Sequence, residues 1–236
     1  MKNKLGKRIV IYDFETDGLW NKLTQPIEVA VHIIEKNGKE SDYHSLIKIR
    51  NNTGKKTFYD KLPPLITSLT GITDELLQKE GREMKPVFKE LNEIFNKPNT
   101  LVVGYNIVTF DNTFLNYYLQ LFRHKPINND YCFDVLGQWK ATSLNIPRRG
   151  DDTIGKWHRR AIYTKNRLND DKHTLEDAVK HYGVGRGEEQ KFHRAKPDVE
   201  STTKILFKQL EQINYKIQLE ASMNEYQYKK FLLNGK

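Results

Sequence analysis

The stretch Ile9-Val10-Ile11-Tyr12-Asp13-Phe14-Glu15 constrains this chain more than any other. A short apolar run rich in β-branched residues reads as a buried strand. Here the run ends in two carboxylates two residues apart. Side chains at i and i+2 of a strand leave the same face, so Asp13 and Glu15 project together from the strand's end. Adjacent like charges disfavour each other's ionised form. A divalent cation relieves that, because hard cations take carboxylate oxygens. Taken alone, the pair is more simply explained by a strand that ends in a polar turn.

Bulk properties narrow the context. The 236 residues suffice for one cored domain, or one with a sizeable excursion. Hydrophobic content of 37% and a mean hydropathy of −0.73 describe a polar-surfaced globule. No apolar run is long enough to span a bilayer, so no membrane partner is expected. Met1-Lys2-Asn3-Lys4 leads into no secretory signal. Cys132 is the only cysteine, which excludes an intrachain disulfide and a cysteine-built zinc site. A reducing, cytoplasmic setting is the expectation. The formal charge of +9 and pI of about 9.3 favour a polyanionic partner, most often nucleic acid. A generally basic solvated surface is the alternative.

Along the chain, Pro26 to Glu35 carries Ile27, Val29, Val31, Ile33 and Ile34 and reads as a second strand. Asn37-Gly38 is a strong hairpin signal, and a third strand follows from about Asp42 to Ile49. Pro63-Pro64 opens a short helix over Leu65 to Leu69, and Thr73-Asp74-Glu75 starts another. Pro86 begins a longer helix with Val87, Phe88, Leu91, Ile94 and Phe95 on one stripe, closed before Pro98. Leu101 to Tyr105 is a buried strand, after which Thr109 caps a helix from Phe110 to Phe122. Tyr131 to Val135 is a fifth strand that runs into a helix ending near Ala141. Order thins from Leu144 to Lys172. Thr174-x-x-Asp177 is a capping box for a helix to Tyr182, stopped by Gly183. Helix returns from Asp198 to about Leu210, and a polar, tyrosine-bearing stretch follows from Gln212 to Leu233. This alternation predicts an α/β layer fold with an antiparallel hairpin in its sheet.

Other acids stand at element ends. Asp111 and Asp198 each fall in the first turn of a helix, where the helix dipole favours an acid in any case. His193 lies in a loop five residues before Asp198. Taken in order, the blocks are Asp13-x-Glu15, then Tyr105-Asn106-x-x-x-Phe110-Asp111-x-x-Phe114-Leu115, then His193-Arg194-Ala195-x-x-Asp198. Together they resemble the three motifs of the DnaQ-like DEDDh superfamily of 3′–5′ exonucleases. Flanking segments extend the likeness: Phe14-Glu15-Thr16-Asp17-Gly18-Leu19, Leu69-Thr70-Gly71-Ile72-Thr73, Cys132-Phe133-Asp134-Val135-Leu136 and His173-Thr174-Leu175-Glu176. The likeness covers roughly residues 8–210. Tyr105 stands where the family often has His, and Lys196-Pro197 precedes Asp198 where small or acidic residues are usual.

The resemblance implies an RNase H-like fold: a central five-stranded mixed sheet, its first three strands antiparallel and the rest parallel, flanked by helices. It divides the chain into an exonuclease domain at 1–210, with a basic insertion at about 144–172, and a C-terminal helical extension at 211–236 packed on the same domain. It further implies two divalent ions, Mg²⁺ or Mn²⁺, about 4 Å apart. Asp13 would bridge both ions, Glu15 and Asp198 would complete the nucleophile side, and Asp111 the leaving-group side, partly through water. His193 would take the proton from the attacking water, a role that suits an imidazole with its ordinary pKa of about 6.5. The implied products are nucleoside 5′-monophosphates from the 3′ end of mainly single-stranded DNA. Alternatives are an exoribonuclease of the same family and a catalytically silent nucleic-acid-binding module on the same fold.

Thr16, Gly18 and Leu19 are expected near the terminal nucleotide, with Leu19 wedged against the last base. Asn106 is expected to orient the site or touch the substrate backbone. Trp20 is a candidate stacking platform or a core residue. The basic stretch 148–172 mixes Arg148, Arg149, Lys156, Arg159, Arg160, Lys165, Arg167 and Lys172 with Trp157, His158 and Tyr163. Cations interleaved with aromatics suit a nucleic-acid strand, and Arg159 and Arg160 are the expected guides; Asp151, Asp152, Asp170 and Asp171 leave an ordinary solvated loop as the alternative. The tail from Gln212 to Lys236 is a candidate docking element for a polymerase or replication partner, or a cover for the sheet edge.

Overall fold

Strand β1 (Arg8–Thr16) sits at the centre of the sheet, and the two-residue period of its side chains divides the molecule into two layers. The structure is a computed structural model that describes residues 7–19, 24–49, 61–164, 173–185 and 193–219, with side chains of the last helix described as far as 213. Trp20, Lys165, Arg167, Lys172 and the chain beyond 219 lie outside the described residues.

The sheet order is β3-β2-β1-β4-β5. β2 (Pro26–Ile34) and β3 (Glu40–Leu46) form the antiparallel hairpin around Asn37-Gly38, and β2 pairs antiparallel with β1. β4 (Thr100–Gly104) lies parallel to β1, and β5 (Phe133–Asp134) parallel to β4. This is the RNase H-like five-stranded mixed sheet. On one face Val10, Tyr12 and Phe14 pack under α3 (Met84–Phe95) and α4 (Asp111–Leu121), through Val87, Phe88, Leu91, Phe114 and Tyr118. On the other, Ile9 and Ile11 pack under α5 (Val135–Ser143) and the long final helix, through Val135, Val199, Ile205 and Leu206. Two short helices, α1 (Pro64–Thr70) and α2 (Asp74–Glu80), close a small separate core around Ile27, Leu46, Ile72 and Leu77. No helix among the described residues is long and apolar enough to cross a membrane.

Several elements differ from the sequence-based expectation; α4, for one, begins at Asp111 with no side-chain cap from Thr109. The third strand begins at Glu40 rather than near Asp42, because the hairpin closes tightly: Ile34 pairs with Glu40, and Glu35 N donates to Lys39 O. The fifth strand shrinks to Phe133–Asp134, since Asn129–Tyr131 is a 3-10 turn held by the Asn128 side chain. A helix, α6 (Ile154–Tyr163), stands inside the stretch where order was expected to thin. Thr153 caps it by accepting from Lys156 N, and Ile154, His158 and Ala161 form its buried face. Lys156, Arg159 and Arg160 on the same short helix conceal that face from a count of apolar residues. After α7 (Leu175–Tyr182), with its Thr174–Asp177 capping box, a single helix α8 (Ala195–Leu219) runs through the point where two helices were expected to meet.

Candidate active site

The acids gather where β1 outruns its parallel neighbour. β1 and β4 pair only from Arg8↔Thr100 to Ile11↔Val103, whereas β1 and β2 stay paired to Glu15↔Glu28 and beyond. Gly104 ends β4 against β1: a Cβ there would lie 2.8 Å from Tyr12 O and would collide with the Ile107 side chain. Past Gly104 β4 has ended, and β1 runs on to Thr16 beyond the carboxyl end of its parallel neighbour. Open α/β sheets bind ligands at such a switch point.

Asp13 and Glu15 continue the face begun by Ile9 and Ile11, the face that α8 covers. α8 delivers Asp198 from its first turn. Ligand oxygens of Asp13, Glu15 and Asp198 lie within 4.8 Å of one another, a separation one divalent cation can bridge. Asp111 arrives from the opposite layer. It opens α4, whose body packs on the Tyr12–Phe14 face, and its Oδ1 accepts from Phe14 N at 3.0 Å. That bond takes up the backbone donor that β4 leaves without a strand partner. Asp111 is thereby fixed beside the trio rather than within it.

The electrostatics of the site are dominated by burial and by mutual repulsion of its carboxylates. Burial and then the Asp111, Glu15, Asp198 and Glu28 carboxylates push the Asp13 carboxyl well above the usual range. Burial, followed by Asp198, Glu28 and Asp111, pushes Glu15 up to about 8. Burial also raises Asp111 to about 7, against the lowering effect of the Phe14 N–H. A hard cation fits this donor set: anionic oxygens converge from two elements, and the charges that act most on Asp13 are all negative.

His193 precedes α8 at an exposed position, with a left-handed backbone (φ 70°), and its N–H donates to Asp198 Oδ2 at 3.3 Å. The Thr16 hydroxyl donates to Gly18 O at 2.7 Å, shaping the loop that carries Leu19, which is 83% exposed. Asn106 is also left-handed (φ 63°); its side-chain oxygen accepts from the Thr109 hydroxyl and its N–H donates to Asp134 Oδ1. Its side chain therefore shapes the turn that leads to Asp111. Arg160 pairs with Asp152 and donates to Pro147 O, so its guanidinium is held within the 147–160 segment. Arg159 is half-buried on the same helix.

Two functional partners escape sequence reasoning. Asp134 is fully buried; it caps α5 and accepts from Asn106 N and Val108 N, which fixes the turn before Asp111. Glu28 is also fully buried and binds Arg194 and Ala195 N. The signal for Glu28 is legible afterwards: it is a lone acid in the run Pro26–Ile34, otherwise apolar up to His32.

A mixed five-stranded sheet with three carboxylates converging at the end of its central strand defines an RNase H-like class whose acid cluster could hold a cation. The comparisons narrow the class: the chain matches the exonuclease family RNase_T over residues 10–206 and belongs to it. It is 30% identical over 155 residues to exodeoxyribonuclease I of Buchnera aphidicola subsp. Schizaphis graminum, across 60% of this chain and 30% of that protein. It is 26% identical over 222 residues to a PolC-type DNA polymerase III of Mycoplasma genitalium, across 92% of this chain and 13% of that protein. The chain thus spans about a third or less of the curated relatives it matches. Among solved structures, E. coli exonuclease I bound to a dT13 oligonucleotide shares the fold, with a TM-score of 0.63 at 20% identity over 86% of this chain and 40% of that one. The chain is a member of the DnaQ-like exonucleases.

Proposed function

We propose that this protein is a DEDDh-type 3′–5′ exonuclease that acts on single-stranded DNA and releases nucleoside 5′-monophosphates. The convergence of Asp13, Glu15 and Asp198, with Asp111 fixed beside them, carries this reading. An exodeoxyribonuclease I among the relatives, and the oligonucleotide held by a structural neighbour, favour DNA.

Asp13, Glu15 and Asp198, with Asp111, would hold two Mg²⁺ or Mn²⁺ ions, which when bound supply water activation and charge neutralisation at the phosphate. The residues of the chain do the rest. Water adds to the terminal phosphorus, the bond to the preceding 3′ oxygen breaks, and that oxygen leaves with a proton. His193, on the turn beside Asp198, accepts the proton of the attacking water. Leu19, exposed four residues beyond Glu15, abuts the terminal base, and backbone from Thr16 to Gly18 lines the 3′ hydroxyl.

A 5′-labelled single-stranded DNA and the matching RNA, each incubated with Mg²⁺, Mn²⁺ or EDTA, test the proposal. The expected result is a ladder shortening from the 3′ end of DNA, absent in EDTA and in Asp13→Ala. Degradation of RNA alone would make the protein an exoribonuclease. Tight binding with no cleavage under any metal would make it a silent binding module and overturn the reading. The match to PolC-type polymerases raises a polymerase partner, for which co-purification with a polymerase subunit is the check.

A further inference from the structure

We propose that Glu28 is the positioning residue of this site: through Arg194 it sets the backbone that carries His193 and Asp198 against β1. The inference rests on the nuclease reading for its consequence in turnover, but its structural basis is independent of it.

Glu28 stands directly across the sheet from Glu15, in the register of β1 and β2. Two carboxylates opposed on neighbouring strands repel, and one of them is fully buried. Arg194 resolves this. Its Nε lies 3.0 Å from Glu28 Oε2 and its guanidinium NH2 group 2.7 Å from Oε1, a two-pronged pairing that fixes orientation as well as distance. The same positive charge acts on Glu15 and partly offsets its neighbours. The Ala195 N–H, the first of α8, also donates to Glu28 Oε2 at 3.1 Å, so the carboxylate serves as the anion at that helix's N-terminus. His44 closes the last approach, with Nε2 2.8 Å from Glu28 Oε1.

One buried carboxylate on β2 thus holds the side chain of Arg194 and the N–H of Ala195. His193, immediately before them, has a left-handed backbone, a conformation that a non-glycine residue keeps only when its surroundings impose it. Asp198, three residues into α8, returns a bond to the His193 N–H. The chain from His193 to Asp198 is therefore clamped at both ends. The Glu28 clamp is rigid with respect to Glu15 because both sit in one strand ladder. In effect it fixes the distance between the acids on β1 and the acid and base brought by α8. Glu28 itself is engaged by Arg194, His44 and the α8 N-terminus, which sets it apart from the carboxylates that converge as ligands.

The test uses the 236-residue chain and three variants: Glu28→Gln, which keeps the shape but weakens the two-pronged pairing; Arg194→Lys, which keeps the charge and loses the fork; and Glu28→Gln/Arg194→Gln, which removes the buried carboxylate together with its half-exposed partner charge. Calorimetric titration with Mn²⁺ alone reads the metal site without turnover. Groups that orient metal ligands change affinity or activity by about 10–100-fold when altered, and that is the expected loss of Mn²⁺ affinity in Glu28→Gln. On single-stranded DNA its kcat falls by a similar factor while KM moves by less than about threefold. Hydrogen exchange at Ala195–Asp198 accelerates in step, with protection elsewhere in β1 and β2 retained.

Wild-type Mn²⁺ affinity, kcat and exchange in a folded Glu28→Gln would overturn the proposal. So would losses that appear equally across the whole sheet, because they would mark a residue needed only for folding. If Glu28→Gln does not fold, Arg194→Lys decides: wild-type behaviour there refutes the clamp. A wild type that binds Mn²⁺ yet cleaves neither polymer refutes the nuclease reading instead, and the Mn²⁺ and exchange measurements then judge the clamp alone.

Discussion

Replacing Asp13 by Asn is expected to destroy the proposed activity and to stabilise the metal-free protein. The carboxylates of Asp13, Glu15 and Asp198 lie within 4.8 Å of one another. Two unit charges at that separation repel by roughly 3 kcal/mol at an effective dielectric of about 20. The protein can limit this penalty by holding a proton. A carboxyl that would ordinarily titrate near 4.5 takes up a proton at pH 7 at a cost of about 3 kcal/mol, and Glu15, pushed up to about 8, is mostly in that state when no cation is present. Asp13→Asn removes the most heavily opposed charge, so about 1–3 kcal/mol is recovered, or about 3–10 °C in Tm for a domain of this size. The pH dependence follows with a definite sign. Between about 4.5 and 8 the folded wild type holds protons that the unfolded chain has released, so stability falls as pH rises through that window. Thermal melts in EDTA at pH 5, 7 and 8 measure this directly. Excess Mn²⁺ at about 100 times its Kd should raise the wild type by about 2.7 kcal/mol and leave Asp13→Asn nearly unmoved. An Asp13→Asn protein no more stable than wild type in EDTA at pH 7 would show that the acids are not in mutual opposition, and the account of the site would fail with it.

Three further substitutions probe His193 and the basic residues of α6. His193→Ala should lower kcat by about 10²–10⁴ with substrate binding kept within a few-fold, measured by single-turnover cleavage beside a filter-binding titration; unchanged kcat would remove His193 from the reaction. Arg160→Ala should lower stability by about 1–3 kcal/mol, because it breaks a largely buried pair with Asp152, while leaving the salt dependence of DNA binding unaltered; Arg159→Ala, by contrast, should flatten that dependence by about one charge if it meets a phosphate.

Much of this protein was legible in its sequence because the relevant signals are local. The two-residue period of β1 puts Asp13 and Glu15 on one face whatever packs above them, and Asn37-Gly38 dictates the hairpin. The order of the acidic blocks, together with their resemblance to a known family, gave the fold and its five-stranded sheet. Helix α6 was not legible, because its buried face of Ile154, His158 and Ala161 is interrupted by the basic residues of its outer side and by Gly155, which is required for the close approach to Asn129 O.

The tertiary structure decided what depends on which layer an element joins. Asp13 and Glu15 share a face with α8, so Asp198 meets them directly; Asp111 belongs to the layer on the other side and reaches only the strand's end, where it takes the Phe14 N–H. No reading along the chain separates these two acids, since each merely opens a helix. The same holds for Glu28 and Arg194, far apart in sequence and joined only because strand register sets Glu28 beside Glu15 and the fold brings α8 across it. Sequence alone determines which groups the chain can offer to a cation; which of them converge is fixed by the order of the strands and by the layer each helix occupies.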